Sequence, residues 1–262
     1  AYDDCRQDTL ALQVMHLLEV IWQSEGIEIP LMVYNVTPAR TSDKNKAMGG
    51  IIECVPNSES RDNLGKKGFE SLQSYYESLF GRPDGEDYEM ALRRFIRSSA
   101  AYAVACYILS VKDRHNGNLM IDNKGNLVHI DFGFLLGTSP GGNMGFETAA
   151  FKLSEEMYRL LGGSMEATPF REFLDLTVEA FLCIRKYWSE ICSLVNCMSD
   201  SGLPCFLPST LSNLKGRFTP EQSESQAALN MVARSKDACK KWTTIIYDGI
   251  QVLQNGIYSD AW

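Results

Sequence analysis

Two short runs of this sequence combine the residue types that handle phosphate groups and magnesium. The first is Asp113-Arg114-His115-Asn116-Gly117-Asn118, and the second is Asp131-Phe132-Gly133. Carboxylate and amide oxygens suit Mg²⁺, which prefers octahedral oxygen coordination and usually binds phosphates as well. A carboxylate or a near-neutral imidazole can also accept the proton of an attacking hydroxyl. The two runs therefore predict magnesium-assisted phosphoryl transfer.

The spacing within these runs strengthens the prediction. Asp113 and Asn118 keep the D-x-x-x-x-N spacing of a protein-kinase catalytic loop, in which Asp accepts the hydroxyl proton and Asn holds a metal. A D-F-G triplet supplies the second metal ligand in those enzymes. A lone D-F-G is common at strand ends and usually marks only a turn. Here it follows the catalytic-loop pattern at the distance of one short hairpin, and the conjunction is far more specific.

The elements that must position these residues can be predicted from the hydrophobic pattern. Helical periodicity indicates helices, and short β-rich runs between turn residues indicate strands. We expect helices over residues 8–23, 69–80 and 86–110, and a helical pattern from residue 153 onward. The expected strands are residues 31–36, 51–55, 119–121 and 127–130, with an exposed loop over residues 37–46. The last two strands form a hairpin that returns Asp131 beside Asn118.

Two helix starts are marked by capping residues. Ser154 stands before Glu155 and Glu156, whose charges favour the first turn of a helix. The run Thr219-Pro220-Glu221-Gln222 fits a capping box with proline at the first helical position. We expect a helix to begin at each place.

Composition excludes some classes of function. The chain has 262 residues, of which 45% are apolar and 22% are charged, and its net charge is −8. This composition is that of an ordinary globular domain. The negative charge argues against nucleic acid as a partner and against membrane binding through bulk charge. The longest apolar stretch, residues 100–109, is about half of a membrane span, so we expect a buried helix there.

The cysteines and histidines favour a reducing compartment. The eight cysteines form no C-x-x-C pair and lie mainly in apolar helical patterns, which favours buried thiols over disulfides. None of the three histidines has a Cys or His at ligand spacing, so we expect no zinc site. These features indicate a cytoplasmic protein.

Further strings extend the pattern along the chain. Asp3-Asp4-Cys5-Arg6-Gln7-Asp8 precedes the first helix, and His129 and Ile130 precede Asp131. Later come SPGGNMGFE from Ser139, GGSMEATPF from Gly162 and GLPCF from Gly202. With D-R-H where protein kinases have H-R-D, the set resembles the phosphatidylinositol 3- and 4-kinase superfamily. Within it, the chain resembles the type III phosphatidylinositol 4-kinases over essentially its whole length, the alpha form more than the beta.

The resemblance implies an α+β, protein-kinase-like fold of two lobes. Residues 1–56 would form a truncated N-lobe with the first helix, two strands and the hinge, and residues 57–262 a mostly helical C-lobe. The catalytic loop would span residues 111–119 and the activation loop residues 131–152. The implied reaction is transfer of the γ-phosphate of ATP to the 4-hydroxyl of phosphatidylinositol.

The resemblance also implies roles at the reacting end of the site. Asn118 and Asp131 would bind Mg²⁺, with Mn²⁺ as an alternative. His115 is similar to the histidine usually given the general-base role. The residues alone leave open whether His115 or Asp113 takes the inositol hydroxyl's proton, and whether His115 is a structural loop histidine instead. Arg114 would hold the loop rather than touch substrate.

Nucleotide binding is implied for a second set of residues. The segment from Glu53 to Val55 resembles the hinge whose backbone groups bond adenine. Asp8 matches the acidic residue that approaches the ATP-binding lysine, although a carboxylate at a helix start is also favoured by the helix dipole. The side chains that match pocket-lining positions, and would equally serve as core, are Tyr34, Met120 and Ile130.

The segment after Gly133 corresponds to the one that reads the lipid head group. Over residues 134–152 the charged residues are Glu147 and Lys152. A phosphorylated head group would need more Arg and Lys, so this scarcity favours unmodified phosphatidylinositol in a membrane. A phosphatidylinositol 3-kinase using the same lipid, a related protein kinase and an inactive scaffold module are the alternatives. The implied substrate-loop residues are Ser139, Gly141, Gly142, Asn143 and Lys152.

The family's ATP-binding lysine is expected just upstream of this chain. By the register of the D-D-x-R-Q-D string it would immediately precede Ala1, with the phosphate-covering loop before it. We therefore expect this chain by itself to have little or no kinase activity. We also expect upstream regions to bind the proteins that recruit the enzyme to a membrane, the plasma membrane for an alpha-like form.

Overall fold

The computed structural model describes residues 4–40, 48–140 and 149–240. This part of the chain consists of helices and two small antiparallel sheets. The helices are α1 (Arg6–Ser24), α2 (Arg61–Lys66), α3 (Leu72–Phe80), α4 (Glu86–Leu109), α5 (Glu155–Leu160), α6 (Thr168–Arg185), α7 (Trp188–Asn196), α8 (Thr210–Phe218) and α9 (Glu224–Lys240). The strands are β1 (Val36–Arg40), β2 (Met48–Ile52), β3 (Ser58–Ser60), β4 (Leu119–Asp122) and β5 (Leu127–His129). This mixed content confirms the α+β class.

The long predicted helices form the core. Every side chain of residues 100–109 in α4 is buried, as expected for the longest apolar stretch. Small alanines in that stretch let α6 pack along α4, and α1 packs on the same helix α6. The indole N–H of Trp22 in α1 donates to the carbonyl of Ala180 in α6 at 3.0 Å. These buried apolar faces are the main source of stability.

The predicted strand over residues 31–36 is wrong. This stretch has no partner strand in the described part of the chain, and β1 begins only at Val36. Its backbone is satisfied by side chains instead. The carboxylate of Glu19 accepts from the N–H of Leu31 at 3.2 Å, and the hydroxyl of Tyr102 donates to the carbonyl of Met32 at 3.1 Å. An extended, alternately buried segment can therefore look like a strand without joining a sheet.

The start of the predicted exposed loop, residues 37–40, belongs to a strand. β1 pairs with β2 in antiparallel register, Pro38 opposite Gly50. The N–H of Glu53 donates to the carbonyl of Asn35 at 2.9 Å, and antiparallel pairs alternate between bonded and non-bonded positions. Pro38 therefore falls at a non-bonded position of an edge strand, where its missing N–H costs nothing. Residues 41–46 of the predicted loop lie outside the described residues.

The second sheet carries the hairpin that the sequence predicts. β4 and β5 pair antiparallel with Met120 opposite Val128, and β3 pairs with β4 on the other side. β3 and α2 were not expected, because Ser58, Glu59 and Ser60 are polar and lack a strand-like pattern. Ser60 is also the N-cap of α2, since its hydroxyl accepts from the N–H of Asn63 at 3.1 Å.

Gly125 closes the hairpin turn in a conformation that other residues rarely adopt. Its φ is +91°, and its carbonyl accepts from the hydroxyl of Tyr76 at 2.6 Å. A Cβ at this position would lie 2.9 Å from the Cβ of Ala91 and 3.0 Å from the carbonyl oxygen of Ala91. The glycine thus permits both the turn and the close approach of the hairpin to α4.

We expect Gly125→Ala to destabilise the protein more than Gly68→Ala does. Gly68 also has a positive φ, +93°, but a Cβ there meets nothing within 4 Å. Left-handed strain costs about 1–2 kcal/mol at either position, and overpacking against Ala91 adds about 1–3 kcal/mol at Gly125 alone. Urea unfolding of both variants measures the difference. Equal losses would show that the contact with Ala91 is unimportant.

The two capping predictions had opposite outcomes. The hydroxyl of Ser154 accepts from the N–H of Met157, which confirms the start of α5. The capping box at Thr219 is wrong, because Thr219 is the left-handed C-cap of α8 at φ +48° and α9 begins at Glu224. Instead, the hydroxyl of Ser223 accepts from the N–H of Gln226 at 3.2 Å.

Two further features of the described chain are the state of its cysteines and the length of its apolar helices. All eight cysteines lie in the described ranges, none forms a disulfide, and Cys5, Cys106, Cys183 and Cys205 are buried. Two of the others, Cys54 and Cys197, are exposed. Among the described helices, none is both long and apolar enough to cross a bilayer.

Candidate functional site

The first motif forms a tight loop after α4. The helix ends at Leu109, and the N–H of Lys112 donates to the carbonyl of Phe134 at 2.9 Å. Asp113 then adopts a left-handed φ of +63°, and residues 116–118 form one 3₁₀ turn that leads into β4. The loop is thereby attached at its start to the segment that follows the second motif.

The side-chain amide of Asn118 is oriented by the backbone of this loop. The side-chain Nδ2 donates to the backbone carbonyl of Asp113 at 2.9 Å. The backbone carbonyl of Asn118 accepts from the N–H of Ile130 at 3.2 Å. The residue is only 6% exposed. Because the amide nitrogen is used as a donor within the loop, the amide oxygen is directed elsewhere and can serve as a ligand.

Asp131 is held in a strained conformation at the end of β5. Its φ is +62°, its N–H donates to the hydroxyl of Tyr34 at 3.3 Å, and its Oδ1 accepts from the N–H of Gly133 at 3.2 Å. Its side chain is exposed. Non-glycine residues in the left-handed region concentrate at functional sites, and here both Asp113 and Asp131 have this conformation.

Arg114 connects the two motifs through hydrogen bonds to the backbone at both. It is 1% exposed, and its guanidinium donates to the carbonyls of Lys112 (3.0 Å), Ile130 (2.6 Å) and Asp131. The guanidinium carbon also lies 5.5 Å from the ring centre of Phe132. Arg114 is therefore buried between the catalytic loop and the second motif.

Replacing Arg114 with Met should destabilise the protein by about 3 kcal/mol, because several buried carbonyls would lose their donor. Arg114→Lys should recover only part of that loss, since one ammonium cannot reproduce the planar fork. The measurement is the free energy of unfolding in urea. The control is Arg93→Met, which removes an exposed helical ion pair with Glu89 and should cost less than about 0.5 kcal/mol. A similar small cost at Arg114 would contradict this connecting role.

The first turn of α1 contacts the second motif directly. Oδ1 of Asp8 accepts from the N–H of Phe132 at 2.7 Å, and the side-chain amide of Gln7 donates to the carbonyl of Gly133 at 2.7 Å. Burial raises the pKa of the Asp8 carboxyl, the Phe132 N–H lowers it, and nearby Asp131 raises it again. The sequence left two interpretations of Asp8 open, a carboxylate near the ATP-binding lysine and a carboxylate favoured at a helix start. The hydrogen bond from Phe132 gives it a further role, which the sequence did not predict. No role was predicted for Gln7, which lies in the string from Asp3 to Asp8, just before the start of the predicted helix.

A cavity of about 560 Å³ lies between α1, β2, the segment after β2, and the second sheet. This volume is within the range of ligand pockets in proteins. It is lined by all the residues predicted to bind nucleotide, together with Asp131: Asp8, Tyr34, Glu53, Val55, Met120 and Ile130. Cys54, in the middle of the predicted hinge, also lines it, and the lining residues that the sequence did not indicate are Cys5, Ile52 and Ser58.

The predicted hinge runs along the edge of this cavity. The N–H of Glu53 donates to Asn35, and the hydroxyl of Ser58 donates to the carbonyl of Val55 at 2.9 Å. Within the described ranges, the carbonyl of Glu53 and the N–H of Val55 make no hydrogen bond. An acceptor and a donor two residues apart are therefore available to a planar heterocycle.

His129 lies in the core rather than in the cavity. Its ring stacks on Tyr102 at 4.5 Å between centres, and its Nδ1 lies 3.5 Å from the Sγ of Cys106. Burial lowers the pKa of His129 well below its usual value, and the charge of Arg114 lowers it further. The ring is thus neutral and holds β5 against α4.

The predicted substrate-loop residues are only partly described. Ser139 is half-buried, and Lys152 is 5% exposed. Gly141, Gly142 and Asn143 lie outside the described residues. The ammonium of Lys112 donates to the carbonyl of Ala149 at 3.3 Å, so the catalytic loop contacts the end of this segment.

The donor set fits magnesium better than a protein-enclosed metal. No cluster of three or more His, Cys, Asp or Glu ligands occurs within residues 4–40, 48–140 and 149–240. One oriented amide and one exposed carboxylate are a sparse set, which suits an ion that keeps waters and binds phosphate oxygens.

The fold and site together define an α+β domain with a ligand-sized cavity, whose edge carries a carboxylate beside a buried, hydrogen-bonded loop. Comparison with known proteins gives the family. The family model described as phosphatidylinositol 3- and 4-kinase matches residues 69–207, and the chain belongs to this family. The expected resemblance is confirmed.

Individual relatives are similar over nearly the whole chain. Phosphatidylinositol 4-kinase alpha 1 of Arabidopsis thaliana is 48% identical over 97% of this chain, which corresponds to 12% of that relative. Phosphatidylinositol 4-kinase alpha 2 of the same plant is 46% identical over 97% of this chain and 46% of the relative. Phosphatidylinositol 4-kinase beta of Danio rerio is 37% identical. The chain thus spans less than half the length of these relatives and is more similar to the alpha forms.

Proposed function

We propose that the protein carrying this chain is a phosphatidylinositol 4-kinase, which transfers the γ-phosphate of ATP to the 4-hydroxyl of phosphatidylinositol. The observation that carries the proposal is the shared cavity: every residue assigned to the nucleotide lines it together with Asp131. The family match and the printed names of the relatives support the lipid substrate.

ATP would bind with its adenine against the hinge. The carbonyl of Glu53 would accept from the adenine amino group and the N–H of Val55 would donate to a ring nitrogen, with Met120 and Ile130 against the ring faces. The backbone carbonyl of Glu53 and the backbone N–H of Val55 are few and fixed in position, as in small-molecule pockets. They support a nucleotide rather than a lipid as the occupant of the cavity. The phosphates would then extend toward Asp131.

Magnesium would be held by Asn118 and Asp131. These residues would hold the ion, with Mn²⁺ as an alternative, where its charge would neutralise the phosphate oxygens of ATP. The chain's own part is to orient these ligands: the Asp113 carbonyl fixes the amide of Asn118, and Arg114 and Asp8 fix the backbone on either side of Asp131.

Asp113 would accept the hydroxyl proton, and His115 would donate a hydrogen bond. The Nδ1 of His115 accepts from the N–H of Gly117 at 3.0 Å. A neutral imidazole in this contact carries its proton on Nε2, which can donate but cannot accept a proton. This contact supports Asp113 as the base of the two candidates that the sequence left open.

The lipid head group would meet the segment after the second motif. Ser139, Gly141, Gly142 and Asn143 are proposed to contact it, while buried Lys152 would hold the end of the segment. The protein would act at the cytoplasmic face of a membrane, the plasma membrane for an alpha-like form, and partner proteins would recruit it. Residues 1–56 and 57–262 would form the two lobes of a kinase-like fold.

The decisive experiment supplies the natural protein that carries this chain with ATP, Mg²⁺ and vesicles containing phosphatidylinositol. The product is deacylated, and the phosphorylated position is identified by chromatography. We expect the 4-phosphate. A 3-phosphate would replace the proposal with the 3-kinase alternative, and a protein that binds ATP yet phosphorylates no lipid would favour the scaffold.

A further inference from the structure

A second cavity, of about 340 Å³, lies at the C-terminal end of α4. Its walls come from the end of α4, from α8 and α9, and from residues 136–137. It shares no lining residue with the nucleotide cavity. The function proposed above does not use it.

Two arginines give this cavity a positive charge. Arg217 of α8 and Arg234 of α9 both line it, with their guanidinium carbons 5.4 and 5.0 Å from the ring centre of Tyr107. Within residues 4–40, 48–140 and 149–240, no Asp or Glu lines this cavity, although the whole chain has a net charge of −8. The cavity is therefore a cationic site in an acidic protein.

Neither arginine pairs with a carboxylate in the described part of the chain. Arg217 donates to the carbonyl of Tyr107 (2.7 Å) and to the hydroxyl of Ser110 (2.8 Å), so it caps the C-terminal end of α4. Burial lowers the pKa of Arg217, and the charge of Arg234 lowers it further. Capping of α4 explains why Arg217 lies here, but it does not explain the position of Arg234.

Arg234 is the cation that the fold does not explain. Its side chain is exposed, and among the described residues it lies over the ring of Tyr107. Two like charges around one ring repel each other at a cost that an anion between them would remove. Several N–H donors of the two guanidinium groups remain for such an anion, and Arg favours phosphate because its planar fork can donate two parallel hydrogen bonds.

We propose that this cavity binds the phosphomonoester group of a small molecule. Its volume exceeds that of a bare anion and admits a phosphorylated polyol, and Ser212 and Asn213 in the lining can accept hydrogen bonds from hydroxyl groups. The same chemistry is offered by a soluble inositol phosphate and by the head group of a phosphorylated inositol lipid.

The occupant would touch the start of the activation segment. Leu136 lies three residues after Gly133, its N–H donates to the carbonyl of Leu109 at 2.7 Å, and its carbonyl accepts from the hydroxyl of Thr210 at 3.5 Å. A ligand in the cavity would therefore stabilise the junction of α4, α8 and this segment. That regulatory consequence rests on the proposed kinase function, whereas binding itself does not.

The test measures binding of inositol 1,4-bisphosphate to the natural protein by calorimetry, with a non-hydrolysable ATP analogue at saturation. We expect Arg234→Gln to weaken binding about tenfold, the value of one charge-assisted hydrogen bond. Lys236→Gln removes one positive charge from the same helix outside the cavity and should leave affinity unchanged. Arg217→Lys keeps the charge near the end of α4 and should weaken binding without unfolding the protein.

A second arm uses phosphatidylcholine vesicles with and without phosphatidylinositol 4-phosphate. Binding that depends on Arg234 in this arm alone identifies the lipid as the source, and dependence in the soluble arm alone identifies a free inositol phosphate. The proposal is overturned if neither probe binds, if Lys236→Gln weakens binding as much as Arg234→Gln, or if the probes bind only when the ATP analogue is left out. None of these results depends on lipid kinase activity, so failure here is distinguishable from failure of the proposed function.

Discussion

Asp131→Asn is expected to lower the rate of phosphoryl transfer by about a thousandfold or more while the protein stays folded. The Mg²⁺ that this carboxylate would hold would contribute several kcal/mol to stabilising the charge of the transition state, which corresponds to this factor. Asparagine removes the charge of the side chain and little else. It tolerates the left-handed φ of +62°, and its side-chain oxygen can still accept from the N–H of Gly133. Alanine would mix backbone strain with the loss of the ligand.

The measurement is turnover of phosphatidylinositol by the natural protein at saturating ATP and a range of Mg²⁺ concentrations. Asp175→Asn, the same change on an exposed face of α6, should leave turnover unaltered. Thermal unfolding of both variants shows whether the fold is intact. Turnover within tenfold of the parent protein in Asp131→Asn would rule out a metal-ligand role that depends on the charge of the carboxylate.

Asp113→Asn is expected to lower kcat by about a thousandfold, the middle of the range for loss of general-base catalysis. Asparagine again suits the left-handed φ, here +63°. His115→Asn should cost only about tenfold. Its side-chain oxygen can accept the N–H of Gly117 in place of Nδ1, so the loop is kept and one hydrogen bond from Nε2 is lost.

The comparison of the two variants decides between the candidate bases. The dependence of kcat on pH should keep its shape in His115→Asn if Asp113 is the base. A thousandfold loss in His115→Asn together with near-normal turnover in Asp113→Asn would reverse the assignment. Binding of ATP, measured separately, should be unchanged in both variants because neither residue lines the nucleotide cavity.

Local signals in the sequence were sufficient for much of the helical framework. The helices over residues 8–23 and 86–110 were predicted within two residues at each end, since their apolar periodicity and turn residues are encoded locally. The hairpin between β4 and β5 followed from Gly125 and the flanking apolar runs. Ser154 identified the start of α5 for the same reason.

The errors occurred where a distant partner decides the structure. Residues 31–36 alternate like a strand, but Glu19 and Tyr102 satisfy this backbone in place of a neighbouring strand. β3 is polar and becomes a strand only because β4 lies beside it. Thr219 could not be distinguished from a helix start, because its left-handed conformation is set by the end of α8.

By itself, the sequence determined the chemistry that this protein can offer: the carboxylates, amide and imidazole of the two motifs, and the helices and hairpin that carry them. Only the tertiary structure decided how these groups are held. Asp8 and Gln7 are far from the second motif in sequence, and Arg114 belongs to the first motif, yet the hydrogen bonds of all three fix the backbone of the second. Such contacts form only when the elements pack, because each buried backbone group takes whichever partner the fold brings within reach. The cavity of Arg217 and Arg234 arises in the same way, from three helices that no local pattern brings together.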